Sequence, residues 1–358
     1  MMTKLLMTLA VATWLGSAWA GGPGFPSRAA DLDVLPGFKN PPPGYGEVPF
    51  WWWTGDDLDV ERMIGQIREL HKKGISGVQV NYSHYDNTPG YLTEQGKPTI
   101  FSDEWWKVYS QISAECARLN MGIGMSTYTQ DWPEGATNLF YKLFYHKAEW
   151  NAIQLETGEH PRVRGGETLT VVGATNQIAI RAYQIVNGEL QRGGVDLAPF
   201  AKDGKLTWTA TEGEWEVWTF HAVRQAGTLN PLMPGAGDTV IAGFYQKFQD
   251  HNPGKSSKGL NYFFNDELTI GVGKFAWNPD FAAEFRQRKG YDLLEVLPAM
   301  WTNMGGITPK VRMDYADVRM TLMEERYFKP IFDWHNSRHI IFACDSGGRG
   351  LRPNEFGD

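Results

Sequence analysis

Cysteine is nearly absent: of 358 residues, only Cys116 and Cys344 carry a thiol. At most one intrachain disulfide can form, so no disulfide framework holds this fold together. Each cysteine sits in an apolar stretch that reads as helix or strand, which favours two buried free thiols over a bridge. Basic charge is also short. No Lys- or Arg-rich run occurs, and 34 basic against 41 acidic residues leave a net charge of −7. That balance argues against the phosphate-neutralising surface that nucleic acid binding requires. No Gly-rich phosphate loop opens a helix, so an oxidoreductase with a dinucleotide has no support and no organic cofactor is expected. The apolar run from Leu5 to Trp14 is shorter than the ~20 residues of a membrane-spanning helix, and no later stretch approaches that length.

What is present begins with that run. Lys4 precedes it and Ser17-Ala18-Trp19-Ala20 follows, the order of a charged n-region, an apolar h-region and a small-residue cleavage site. The expectation is a signal peptide over 1–20, cleavage near Ala20 and an exported protein without a membrane span. The sequence also holds 15 Trp and 14 Tyr. Flat rings with a polar handle suit sugar faces, although barrels also bury Trp in their cores. A carbohydrate is the partner this composition favours.

Residues 21–46 are rich in Gly and Pro and read as an extended lead-in. The pattern then alternates over 47–143: strand Val48–Trp53, helix Val60–Lys73 closed by Gly74, strand Gly77–Tyr82, helix Asp103–Leu119, strand Gly122–Tyr128. Alternating elements with nearly continuous apolar strands imply parallel pairing with helical crossovers. Over 144–229 the rhythm becomes β-branched and aromatic alternation, with turn signals at Asn187-Gly188, Asp203-Gly204 and Glu212-Gly213. This predicts an antiparallel β-domain inserted after the third strand. Barrel-like alternation resumes over 230–358 with helix Thr239–Asp250, strand Leu260–Phe264, and a helix capped by Asn278 with Pro279 at its first position. A long helix after Thr308-Pro309 then leads to strand Ile340–Cys344. The fold class is α/β, a (β/α)8-type barrel that is left incomplete after about five strands.

In such a barrel the carboxyl ends of the strands line one mouth. Trp52, Asn81 and His84 fall at the first two ends, Tyr128, Gln130, Asp131 and Trp132 after the third, Asp266 and Glu267 after the fourth, and Asp345 after the last. Breaking a glycosidic bond usually takes two carboxyl groups, one protonated to assist the leaving oxygen and one ionised to activate water or attack. Glu267 is the best placed acid. The neighbouring anion Asp266 and the aromatic run Tyr262-Phe263-Phe264 would keep it protonated near neutral pH. Asp131 and Asp345 suit sugar hydroxyls or a hard cation, or equally a cap or turn. His84 reads as a hydrogen-bonder to a hydroxyl or a carboxylate, or as a structural one. Of Trp51, Trp52 and Trp53, one or two are expected in the core and one on the substrate. Asp56, Asp57 and Asp59 resemble a calcium loop only in spacing, and capping of the following helix is the better reading.

The segments Pro49-Phe50-Trp51-Trp52-Trp53, Lys73-Gly74-Ile75-Ser76-Gly77-Val78-Gln79-Val80, Asn265-Asp266-Glu267, Trp277-Asn278-Pro279-Asp280-Phe281 and Phe285-Arg286-Gln287-Arg288-Lys289-Gly290-Tyr291-Asp292 resemble the α-L-rhamnosidases of glycoside hydrolase family 106. The β-insert, with Leu206-Thr207-Trp208 and Gly213-Glu214-Trp215-Glu216-Val217, is similar to one that interrupts that family's barrel. The resemblance covers most of the chain after residue 20. It implies inverting exo-hydrolysis of terminal α-L-rhamnose, calcium at the site, a general acid at Glu267 and a base beyond Asp358. Two other readings stay open: a retaining barrel glycosidase with carboxyl groups roughly 5 Å rather than 6.5–9.5 Å apart, and a non-catalytic carbohydrate-binding barrel or inactive fragment.

Overall fold

The computed structural model describes residues 30–40, 45–54, 56–81, 96–126, 148–173, 176–252, 259–266 and 273–345, with only the backbone of 227, 228, 260, 265, 266, 344 and 345. In chain order the first strands are β1 (Phe50–Trp52), β2 (Gly77–Asn81) and β3 (Gly122–Ser126). Then come β4 (Asn151–Thr157), β5 (Arg162–Arg164), β6 (Thr168–Val172), β7 (Gln177–Val186), β8 (Glu189–Leu190) and β9 (Val195–Asp196). They are followed by β10 (Ala201–Lys202), β11 (Lys205–Thr209), β12 (Glu214–Leu229), β13 (Gly259–Asp266), β14 (Ala276–Trp277) and β15 (Ile341–Asp345).

Five of these strands form one parallel sheet in the order β1-β2-β3-β13-β15. Strands separated by helices in sequence are neighbours in space, as the alternating pattern predicts. The observed class is therefore mixed α/β with a parallel sheet, and five strands of the expected eight-stranded wall occur among the described residues.

Local chemistry sets the crossover helices. Asp59 caps helix Val60–Lys72, its carboxylate accepting from the Arg62 amide at 2.7 Å, and Gly74 ends that turn at φ +86°. Asp56 accepts from Arg62 Nη2 at 2.9 Å, so two of the three early aspartates serve the helix start. Ser102 caps helix Asp103–Arg118, whose Trp105, Tyr109, Ile112 and Cys116 recur at helical spacing and are buried. Cys116 is a free buried thiol, pushed up to about 12 chiefly by burial.

Two later helices depart from the sequence reading. The helix expected from Pro279 starts at Phe281: Asn278 is turned to donate Nδ2–H to the Leu232 carbonyl at 3.0 Å and to Asp280, and its Oδ1, the atom a cap would use, accepts from no described group. The long helix after Thr308 runs Thr308–Met323, opens into a wide turn over Glu324–Phe328 and continues as Lys329–Ser337. Pro330, which cannot donate an amide, sits just past that wide turn.

The antiparallel strands make a seven-stranded sheet, β14-β4-β12-β7-β8, with β5 also on β12 and β9 on β7. The 16-residue β12 is its spine and carries register shifts between Phe220 and His221 and between Gln225 and Leu229. A smaller sheet, β10-β11-β6, shares a separate apolar cluster with it that includes Ile180, Leu206, Trp208 and Val217. Strand β14 pairs with β4, so the antiparallel sheet also draws on chain beyond 229.

Candidate active site

Register across the parallel sheet separates two faces. Trp51, Val80, Met125, Phe263 and Phe342 lie in one row, and every member is apolar. Phe263 and Phe342 meet the rings of Tyr245 and His335, so this face packs on helices. At the end of β1, Trp53 is 2% exposed and its ring lies 5.6 Å from that of Trp105. Trp53 is thus core, in line with the expectation that one or two of the three tryptophans are.

The alternate row is different in kind. Phe50, Gln79, Gly124 and Tyr262 are register partners, and one step towards the carboxyl ends Trp52 pairs with Asn81 while Ser126 pairs with Phe264. Successive strand residues face opposite ways, so this second face carries Trp52, Gln79, Asn81, Ser126 and Tyr262. Gln79, Asn81 and Ser126 are all buried, an uncommon place for polar side chains unless they have a purpose. Gln79 Nε2 donates to Asn81 Oδ1 at 3.1 Å. Asn81 Nδ2, in a residue 1% exposed, has no partner among the described residues, and neither has the Tyr262 hydroxyl. The Tyr262 ring lies over Gly124, where a Cβ would come within 2.5 Å of it. Burial pushes the Tyr262 hydroxyl well above its ordinary range, so it stays protonated.

The acidic strand ends meet at this edge as backbone positions. Asp266 and Asp345 are direct register partners at the ends of β13 and β15, two residues past Phe264 and Ala343. Of the residues read from sequence as site candidates, Trp52 and Asn81 lie side by side, and Asp266 and Asp345 are paired along the same edge. Glu267, His84, Tyr128, Gln130, Asp131 and Trp132 lie outside the described residues. Trp52 also borders a cavity of about 230 Å³ lined by Trp51, Trp53, Thr54, Asp56, Arg62 and Gln66 among others.

Gln79 and Tyr262 were not singled out from the sequence. The signal that could have found them is alternation: a polar residue two before Asn81 on a strand buried on both faces must share the face of Asn81. Among the described residues no group of three His, Cys, Asp or Glu side chains could hold a metal ion. Asp131 and Asp345, read from sequence as suited to sugar hydroxyls or a hard cation, are not among the described side chains. Among those residues, too, no helix is long and apolar enough to cross a membrane.

No protein-family model and no curated protein matches the chain. Solved structures do. A rhamnosidase from Novosphingobium sp. PP1Y superimposes with a TM-score of 0.63 at 11% identity, over 88% of this chain and 47% of that one. An isomaltulose synthase from Protaminobacter rubrum matches at 12% identity over 84% of this chain and 44% of that one, with a TM-score of 0.33. A trehalulose synthase from Pseudomonas mesoacidophila MX-45 matches at 13% identity over 85% and 45%, also at 0.33. Scores of 0.33 are too low to bear on the fold. The first match shows a glycoside hydrolase-like fold, and the chain spans about half the length of that rhamnosidase.

Proposed function

We propose that this chain is part of an exported α-L-rhamnosidase-like glycoside hydrolase, akin to family 106, that removes terminal deoxysugars by inverting acid/base hydrolysis. The observation that carries the reading is the carboxyl edge of the parallel sheet. There a half-buried Trp52, a buried Asn81 and the paired strand-end positions Asp266 and Asp345 line up, in a chain whose fold is similar over 88% of its length to that of a rhamnosidase. Glu267 follows Asp266 directly. In this reading it donates the proton that lets the glycosidic oxygen leave. The anion of Asp266 beside it disfavours ionisation of Glu267 and so holds that proton near neutral pH.

A second carboxylate, beyond Asp358 as the family resemblance implies, takes a proton from the water that attacks the opposite face of the sugar. Trp52 supplies a flat apolar surface for the ring, and Asn81, His84, Tyr128, Gln130, Asp131, Trp132 and Asp345 supply hydrogen bonds or walls. Calcium, where bound, would neutralise carboxylates at this edge and fix sugar hydroxyls.

The test is a panel of p-nitrophenyl glycosides, α-L-rhamnoside, α-L-fucoside and β-D-glucoside, offered to this chain and to the product extended to its natural stop. Proton NMR then reads the anomer first released. Release from the α-L-rhamnoside with the β-anomer appearing first supports the proposal. Release with the α-anomer first replaces inversion by retention, and no release from the rhamnoside in either product overturns the reading.

A further inference from the structure

The buried polar face of the parallel sheet holds a donor that no described residue accepts from. Asn81 is 1% exposed, and its amide is pinned from one side: Gln79, itself 4% exposed, donates Nε2–H to Asn81 Oδ1 at 3.1 Å. With the oxygen engaged, the amide cannot rotate without breaking that bond, and Nδ2 carries hydrogens that meet no acceptor among the described residues. An unmet buried donor costs about 1–3 kcal/mol, which makes a pair of this kind an odd choice for a purely structural role. Two valines or leucines would fill the same space without that cost, as Val78 and Val80 do on the opposite face.

The position adds a second argument. Asn81 is the last residue of β2 and the register partner of Trp52 on β1, so the unmet donor stands beside the ring at the carboxyl edge. One row below, Gly124 is the partner of both Gln79 and Tyr262, and its missing side chain makes room for the Tyr262 ring. The Tyr262 hydroxyl is a further polar group with no partner among the described residues. A flat aromatic surface beside a fixed amide donor is the chemistry that recognises a sugar ring by its apolar face and its hydroxyl oxygens.

We infer that Gln79 is a positioning residue that locks the Asn81 amide so that Nδ2–H donates to a hydroxyl oxygen of a bound sugar, making the Gln79–Asn81 pair a determinant of sugar specificity. This deepens the proposed function and rests on it. The pair is preorganised, so binding gains a hydrogen bond without first ordering the side chain that makes it.

The experiment uses free L-rhamnose as the probe, with D-glucose as the comparison sugar. Affinities are measured by NMR titration on the wild type, Gln79→Met and Asn81→Asp, and each protein's melting temperature is recorded alongside. Asn81→Asp keeps an oxygen to accept from Gln79 and removes the donor. It is expected to weaken L-rhamnose about tenfold, the worth of one neutral hydrogen bond. Gln79→Met frees the amide to rotate and is expected to weaken it about threefold, with the preference for L-rhamnose over D-glucose reduced in both variants. Wild-type affinity in both folded variants overturns the inference and leaves the rhamnosidase reading standing. No L-rhamnose binding by the wild type overturns the reading of the site and the inference with it. If Asn81→Asp fails to fold, Gln79→Met decides: unchanged affinity and preference contradict the inference, and a folded protein with both reduced supports it.

Discussion

Glu115 is a nearly buried carboxylate held by two arginines, and its charge contributes measurably to stability. It lies on helix Asp103–Arg118 with its side chain 8% exposed, and it accepts from Arg68 Nε at 2.7 Å and from Arg118 Nε at 2.8 Å. Hydrogen bonding from Arg118, and then from Arg68, outweighs the cost of burial and holds its carboxyl at about 2 against an ordinary 4.5. That difference corresponds to at most about 3.4 kcal/mol of stability at neutral pH. Both arginines are more than half exposed, so solvent screens the pair and a realistic contribution is about 1–2 kcal/mol.

The sign follows from the direction. The folded pKa is depressed, so the contribution is complete above about 4.5 and is lost as pH falls towards about 2. Glu115→Gln should therefore unfold at lower urea than the wild type at pH 7, with the gap closing between pH 4.5 and pH 2. Urea titrations followed by tryptophan fluorescence at pH 7, 4 and 3 measure it. A gap that is absent at pH 7, or that stays constant down to pH 3, refutes the account of Glu115 as a charged partner held by two arginines.

Three further outcomes test the packing. Gly124→Ala places a Cβ within 2.5 Å of the Tyr262 ring, and overpacking should cost about 1–3 kcal/mol in urea unfolding. Trp105→Ala empties a fully buried site among Trp53, Phe101, Tyr109 and Phe248 and should cost about 3–5 kcal/mol, seen as a lower urea midpoint. His335, buried among Tyr245, Phe263 and Phe342, is held at about 3 chiefly by burial, below its ordinary 6.5. The unfolded chain takes up a proton that the folded one refuses, so stability falls as pH drops from 6.5 towards 3, and melting curves of His335→Phe should lose that part of the slope.

The elements that sequence could place are those whose signal is local. Asp59 and Ser102 cap their helices, Gly74 and Gly290 stop theirs with positive φ, and the apolar runs at Gly77, Gly122 and Ile341 become strands. Parallel pairing followed from alternation, which brings Asp266 and Asp345 together although 79 positions separate them in sequence. What sequence did not reveal depends on distant partners. Asn278, which reads as a helix cap, instead donates Nδ2–H to the Leu232 carbonyl, 46 residues away, and the helix begins at Phe281. The register shift between Leu260 and Tyr262 falls at Asn261 and sets Tyr262 over Gly124, a placement that depends on pairing with β3. Gln79 gains a place in the candidate site only through its register with Gly124 and its bond to Asn81. The heavy load of tryptophan is shared: Trp53, Trp105 and Trp218 are buried in the core and Trp51 packs against it, while Trp52 is the register partner of Asn81 on the polar face.

Glu267, the general acid proposed above, follows β13 at the carboxyl edge of the parallel sheet in sequence. The most direct measurement compares wild type and Glu267→Gln, in the product extended to its natural stop, for p-nitrophenol release from p-nitrophenyl α-L-rhamnoside and for L-rhamnose binding. General acid catalysis contributes about 10²–10⁴-fold. The account predicts turnover reduced by at least about a hundredfold with sugar affinity held within about threefold. Turnover equal to the wild type in Glu267→Gln would contradict it.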